Sequence, residues 1–402
     1  MQLLCAVIYG DLDRATPLPG FRIDLVIPPY RSYVLVSLGQ IARNYRNVRA
    51  VVGPQVEVAG VVKADAYGHG AVEVSRVLVA EGAKWLAVSS VDEGVRLRQN
   101  GVDGPRILVM GGFLPFEAAD LAGFDLTPAI HSLEQIRDLE AVGSSSGKEI
   151  RYHLKIDSGM GRLGTRASAA EILAALDGKR HAQIEGLMTH FASAADYSSA
   201  QTGEQLDYFD RLCGDLAQAG VHPSIRHTSS TNAIGYGRRE GWHGMVRAGH
   251  ALYGYLSPAR GDAPPRLLDV QPALTWKARL VAVKDMPEGA LIGYGGTFRT
   301  PRPMRIGIVG AGYADGMFHR LSNRGKVIAG GKLTNILGTI SMDLTTVDLS
   351  HCPELGPGDE VTLLGSEGEA SLDAQQIART AGTISYNILC SISARVRRVY
   401  VS

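Results

Sequence analysis

A lysine, Lys63, closes the apolar run in VAGVVKADAYGHG, and Tyr67, Gly68 and Gly70 follow within seven residues. An amine at the mouth of a buried strand loses hydration, which lowers its pKa and raises its nucleophilicity. That suits imine chemistry with an aldehyde cofactor. The same placement also fits a lysine whose ammonium snorkels to a rim. Further on, KIDSGMGRLG sets Lys155, Asp157 and Arg162 close together in sequence. His190, His227, the hydroxyls of Ser229, Ser230 and Thr231, then Arg247 and Gly249, each stand at the end of a later apolar run. Hydroxyls and open backbone N–H groups are what a phosphate needs. Serine and glycine are also ordinary loop material.

These residues act together only if one architecture gathers them. From Tyr33 onward, strand-like runs (VEVAGVVKA, KWLAVSS, RILVMGG, DLTPAI, RYHLKID, IEGLMTH, SIRHTSS, MVRAGHALYG) alternate with helix-patterned stretches such as AVEVSRVLVAEG and SAAEILAALDG. Several of the latter end on glycine, a usual helix stop. Eight such alternations over about 240 residues predict an α/β fold, an eight-stranded βα barrel. A doubly wound sheet would want GxGxxG directly after its first strand, and none stands there. In a barrel the carboxyl ends of the strands share one face, which is where the polar residues above fall. After Asp269 the texture becomes short strands with Gly, Pro and Asp turns, and a few helical residues near Ala374–Thr380, a C-terminal mainly β domain. The expected division is an N-terminal extension of unclear order over residues 1–30, a barrel domain over 31–268 and a β-rich domain over 269–402.

The bulk properties narrow the function class. A chain of 402 residues exceeds a single core. A net charge of +1 gives no reason to expect nucleic acid or an anionic membrane as partner. Cys5, Cys213, Cys352 and Cys390 lie far apart without metal-ligand spacing, so no metal is expected and a reducing compartment is. No apolar run reaches the ~18 residues that cross a bilayer. The opening MQLLCAVIYGDLDR has no positive residue before its short apolar run, so it reads as cytoplasmic rather than exported. Pro17, Pro19, Pro28 and Pro29 mark the residues that follow as an extension or a start-site artefact.

An arginine beside a pyridine nitrogen is one way a protein tunes pyridoxal phosphate, and Arg247 is a candidate. VVKADAYGHG, KIDSGMGRLG, THFA, MVRAGHALYG, YGGTF, GYADG, ISMD and TISYNILCSISARVRRVY occur in one order over almost the whole chain after Tyr33. Together they resemble alanine racemase, a pyridoxal-phosphate enzyme with a βα barrel and a C-terminal β domain. The resemblance implies that Lys63 carries the cofactor covalently and acts as one catalytic base, with Tyr294 as the other. It implies that Tyr67, Ser230, Thr231, Gly249, His250 and Tyr386 surround the cofactor phosphate, Arg247 meets the ring nitrogen and His190 packs by the ring. Arg162 and Met342 would contact substrate carboxylate, Tyr313 would gate the entry path, and Lys155 matches a lysine often found carbamylated. It implies further a head-to-tail homodimer with shared sites, and D-alanine supply for peptidoglycan.

The chain departs from that pattern at several points. Ser37 stands where an aspartate is usual, Ser230–Thr231 replaces an asparagine–serine pair, His250 an aliphatic residue and His319 an arginine. A serine or broad-specificity racemase is the alternative within the class. A barrel decarboxylase would need a cysteine over the cofactor and a Gly-rich phosphate loop. A non-catalytic cofactor carrier would lack the second domain.

Overall fold

The computed structural model describes residues 30–402; the extension expected over residues 1–30 lies outside these but for Tyr30, as does Cys5. The first strand, β1 (Ser32–Ser37), leads into the helix Leu38–Val52. Ser37 caps that helix, its hydroxyl accepting the Gln40 N–H at 3.1 Å. A serine serves there as an aspartate would, which accounts for the departure at this position.

Eight parallel strands follow: β2 (Glu57–Val61), β3 (Trp85–Val88), β4 (Arg106–Val109), β5 (Leu126–Ile130), β6 (Ile150–Lys155), β7 (Ala182–Met188), β8 (Ile225–His227) and β9 (Met245–Ala248). They pair in chain order from β2 to β8, and β9 lies on the other side of β2. A single bridge, Ser230 to Arg247, spans β8 and β9, so the barrel is nearly closed. All eight predicted strands are present. β3 and β5 are buried at every residue, as expected for strands covered on both faces, and this is why they read as unbroken apolar runs. The helices between them start and stop on local signals. Ser168 and Glu171 form a capping box for Ala169–Leu176, and Gly147 ends Glu134–Ser146 in the left-handed conformation.

The C-terminal part is mainly β. A nine-stranded sheet is built around β10 (Leu274–Met286), which pairs antiparallel with Met304–Val309, Glu360–Glu367 and β1. β1 precedes the barrel in sequence yet sits inside this second sheet, between β10 and the last strand, Arg397–Val401. The expected helical residues form Ala374–Ala381, and a second helix, Ser385–Ser391, brings Tyr386 toward the barrel mouth. Among the described residues no helix is long and apolar enough to cross a membrane, no metal-binding cluster occurs, and Cys213, Cys352 and Cys390 are free.

Candidate active site

Lys63 follows β2 at the carboxyl end of the barrel. The next four residues, Ala64, Asp65, Ala66 and Tyr67, all take φ between 52° and 55°, a full turn of left-handed backbone without a glycine. Such a turn costs roughly 1–2 kcal/mol per residue, so surrounding contacts must hold it. Glu93 accepts the Ala64 N–H at 2.6 Å, Asp65 accepts the Ala71 N–H at 2.9 Å, and the Ala66 N–H returns to the Val62 carbonyl at 2.8 Å. The small side chains of Ala64 and Ala66 limit the clash, and the reversed hand brings Tyr67 onto the same cavity as Lys63.

That cavity, of about 660 Å³, is lined by Lys63, Tyr67, Lys155, Arg162, His190, Ser230, Thr231, Arg247, Gly249, His250 and Tyr386. Eleven sequence-predicted residues thus converge on one space. Four are cations, and no Asp or Glu side chain lines it. The missing counter-charge points to an anionic occupant. Burial, then Arg162, pushes the Lys63 amine below its ordinary value. Burial, then Arg247 and Arg162, brings Lys155 down to about 8.

Arg247 is almost wholly buried and makes no ion pair among the described residues. One terminal nitrogen donates to His227 Nδ1 (2.6 Å) and the His227 carbonyl (3.0 Å). The other donates to the carbonyls of Thr189 and Thr228 and to His190 Nδ1 at 3.1 Å. Its Nε has no acceptor among the described residues, and Arg247 lines the cavity. Since arginine only donates, His190 accepts through Nδ1 and carries its proton on Nε2. Burial and then Arg247 hold that imidazole well below its usual pKa, so it stays neutral.

Thr231 Oγ1 accepts the N–H groups of Gly249 (3.1 Å) and Ala251 (3.2 Å), which leaves its own proton to donate outward. A Cβ at Gly249 would lie 2.6 Å from the Tyr67 hydroxyl, so only glycine lets the two meet. The phenols of Tyr67 and Tyr386 are kept protonated by burial. Together these are donors, suited to phosphate. His250 stacks on Tyr386 with ring centroids 3.7 Å apart, and its Nδ1 has no partner.

Asp157 has a supporting place. Burial raises its pKa, but the N–H groups of Gly161, Gly159 and Met160 outweigh that, and the carboxylate folds the loop that presents Arg162. Arg162 itself makes no hydrogen bond or ion pair with the described residues. Tyr294, Tyr313 and Met342 are not brought to the cavity of this chain; they lie on the β domain and are 76%, 45% and 53% exposed. His319 packs edge-on against Tyr313. The sequence reading passed over Cys390, whose side chain lines the cavity, and over His153 and Glu185, which stand behind Arg247. Nothing in periodicity marks those two, which sit on the neighbouring barrel strands β6 and β7.

Residues 36–257 match the family model for the alanine racemase N-terminal domain, and residues 273–400 the model for the C-terminal domain. The alanine racemase of Carboxydothermus hydrogenoformans is 40% identical over 366 residues, 91% of this chain and 98% of that protein. The solved alanine racemase of Clostridium difficile 630 superposes with a TM-score of 0.86 at 35% identity, covering 92% of this chain and 96% of that one. The alanine racemase of Bartonella henselae, solved with covalently bound pyridoxal phosphate, superposes with a TM-score of 0.81 at 26% identity, covering 93% of this chain and all (100%) of that one. With both domain models matched in order and relatives covered over nearly their full length, the chain belongs to the alanine racemase family.

Proposed function

We propose that this protein is a pyridoxal-phosphate-dependent isomerase that interconverts L-alanine and D-alanine. The observation that carries the proposal is the placement of Lys63, an amine biased toward its neutral form, in a cavity with three further cations, open phosphate donors and no acid. Bound pyridoxal phosphate supplies an electron sink for the charge left when the α-proton departs. The residues of the chain do the rest. Tyr67, Tyr386, Ser230, Thr231 and the backbone at Gly249 and His250 hold the phosphate, with Lys63 as the covalent anchor. Arg247 would donate to the ring nitrogen without protonating it, since a guanidinium does not release its proton at neutral pH. Lys63 takes or returns the α-proton on one face of the substrate and Tyr294 on the other.

Arg162 orients the substrate carboxylate, with help from the backbone of Met342, and Tyr313 lies on the entry path. Lys155, brought to about 8, has an appreciable neutral fraction at neutral pH, the form that reacts with carbon dioxide. Carbamylation would place an anion beside Arg162 and fix it by a charge-assisted bond. The exposure of Tyr294, Tyr313 and Met342, away from the cavity of their own chain, supports a head-to-tail homodimer in which each subunit completes the other's site. A barrel domain over 31–268, a β-rich domain over 269–402, a cytoplasmic location and a role in supplying D-alanine for peptidoglycan belong to the same proposal.

The test combines absorbance with circular dichroism. The holoenzyme is expected to absorb near ~420 nm and to bring the dichroism of L-alanine to zero. Faster decay with L-serine would move the substrate, and a cofactor-loaded protein inert to both would overturn the activity. Gly249→Ala should weaken cofactor binding by about tenfold, because the new methyl displaces the Tyr67 hydroxyl. Titration of the apoenzyme with pyridoxal phosphate reads this, and an unchanged Kd would remove Gly249 and Tyr67 from the phosphate site.

A further inference from the structure

Arg247 is a buried cation with no carboxylate in contact, yet a carboxylate stands behind it across the barrel. His227 Nε2 lies 2.7 Å from His153 Nδ1, and His153 Nε2 lies 3.5 Å from Glu185 Oε2. Both histidines are fully buried. Glu185 is clamped by Arg106, whose two terminal nitrogens reach its two oxygens at 2.8 and 2.9 Å. This end of the chain opens on a separate cavity at the amino ends of the strands, lined by Trp85, Arg106 and Glu185 among others.

The proton positions follow from arginine's lack of an acceptor. Arg247 must donate to His227 Nδ1, so His227 carries its proton on Nε2. That proton points to His153 Nδ1, which makes His153 protonated on Nε2. His153 Nε2 is buried and makes no hydrogen bond of normal geometry among the described residues; the Glu185 carboxylate, 3.5 Å away, is the acceptor it approaches. The chain therefore has one direction, from Arg247 to Glu185.

The backbone is shaped around it. Glu185 is the extra residue at a register shift between β6 and β7, where Ile184 pairs with Tyr152 and Gly186 with His153. A Cβ at Gly186 would fall 2.7 Å from the His153 ring, so the imidazole lies flat on bare backbone. Burial raises the Glu185 pKa, but His153 and Arg106 outweigh it and hold the group at about 2, ionised throughout the working range.

We propose that Glu185 is the counter-charge of Arg247, reached through the Arg247–His227–His153 hydrogen bonds and the 3.5 Å approach of His153 Nε2 to the carboxylate, and that this path sets the hydrogen bond Arg247 Nε would give the cofactor's ring nitrogen. The inference rests on the proposed function. His153, His227 and Glu185 are positioning residues, since none touches the cofactor or the reacting atoms. Polarisation passed along such a chain strengthens each bond in it. Loss of the negative end weakens acceptance at His227 and leaves Arg247 a stronger donor toward the ring.

The test uses the holoenzyme and reads more than turnover. Glu185→Gln removes the charge at nearly constant shape, and His153→Phe cuts the chain while leaving the Arg106–Glu185 pair. Each is expected to shift the absorbance band of the bound cofactor in the same direction. Each should also lower kcat by about three- to tenfold with KM changed less than about twofold. In the double variant the second change should add nothing, because the chain is already broken. Bands that stay at the wild-type position, or effects that simply add, would overturn the proposal and leave a structural role. Should the variants not fold, the nitrogen-15 spectrum of the wild-type holoenzyme decides. His153 protonated on Nε2 and bare on Nδ1 supports the chain, and the opposite tautomer ends it. A wild-type protein that takes up no cofactor would instead count against the proposed function.

Discussion

Lys63→Ala is expected to give a folded protein that binds pyridoxal phosphate without the band near ~420 nm and racemises alanine at least about 10⁴-fold more slowly. The size follows from the two tasks of one amine. It anchors the cofactor, and once released it is the proton carrier on one face of the substrate. No neighbour replaces it: Lys155 stands among the like charges of Arg247 and Arg162, and His190 is engaged by Arg247. The fold should survive, because the Lys63 amine interacts with Arg162, Glu93, Cys390 and Arg247 through charge and makes no side-chain hydrogen bond with the described residues. Thermal melting checks the fold, absorbance the anchor and dichroism of alanine the turnover. Retention of the band would mean that another amine carries the cofactor.

Tyr294→Phe is expected to lower turnover about 10³-fold in both directions while leaving the absorbance band in place, since the hydroxyl acts on the proton and not on the anchor. The more telling measurement mixes two inactive proteins. If Tyr294 serves the partner's cavity, a hybrid of one Lys63→Ala subunit and one Tyr294→Phe subunit contains one intact site and one doubly damaged site. Random reassociation should then restore about one quarter of the wild-type activity, because half the dimers are hybrids and half their sites are whole. Mixing without recovery would place Tyr294 on its own chain's site, against its 76% exposure and its distance from the cavity lining.

The barrel was legible because most residues of its strands are buried, so that VAGVV and ILVM appear as unbroken apolar runs between amphipathic helices. The placement of β1 was not. SYVLVS has the same character as a barrel strand, and only the pairing with Leu274–Ala278 on one side and Arg397–Val401 on the other assigns it to the second sheet. At the site, the motifs named Lys63, Arg162 and Arg247, but the conformation between Lys63 and Tyr67 was hidden. No glycine marks those four left-handed positions, and the strain is borne by distant partners such as Glu93. His250 could be singled out as unusual, whereas its stacking on Tyr386 depends on a helix more than 130 residues away. Glu185 was passed over, because its opposition to Arg247 exists only once the barrel has closed.

The position of β1 has a bearing on how the polypeptide is made. Its neighbours in the sheet are separated from it by most of the chain: Tyr33 pairs with Lys277 and with Arg397. During synthesis the barrel strands are complete long before the last strand leaves the ribosome, yet β1 has only one of its two edges covered until that moment. A nascent chain therefore carries a strand with an open apolar edge, the kind of surface that recruits wrong partners. Loop closure over so many residues is slow, and it comes last. A ribosome stalled before Arg397 should hold a barrel that resists protease together with a β1 that does not, and release of the final residues should protect β1 as well.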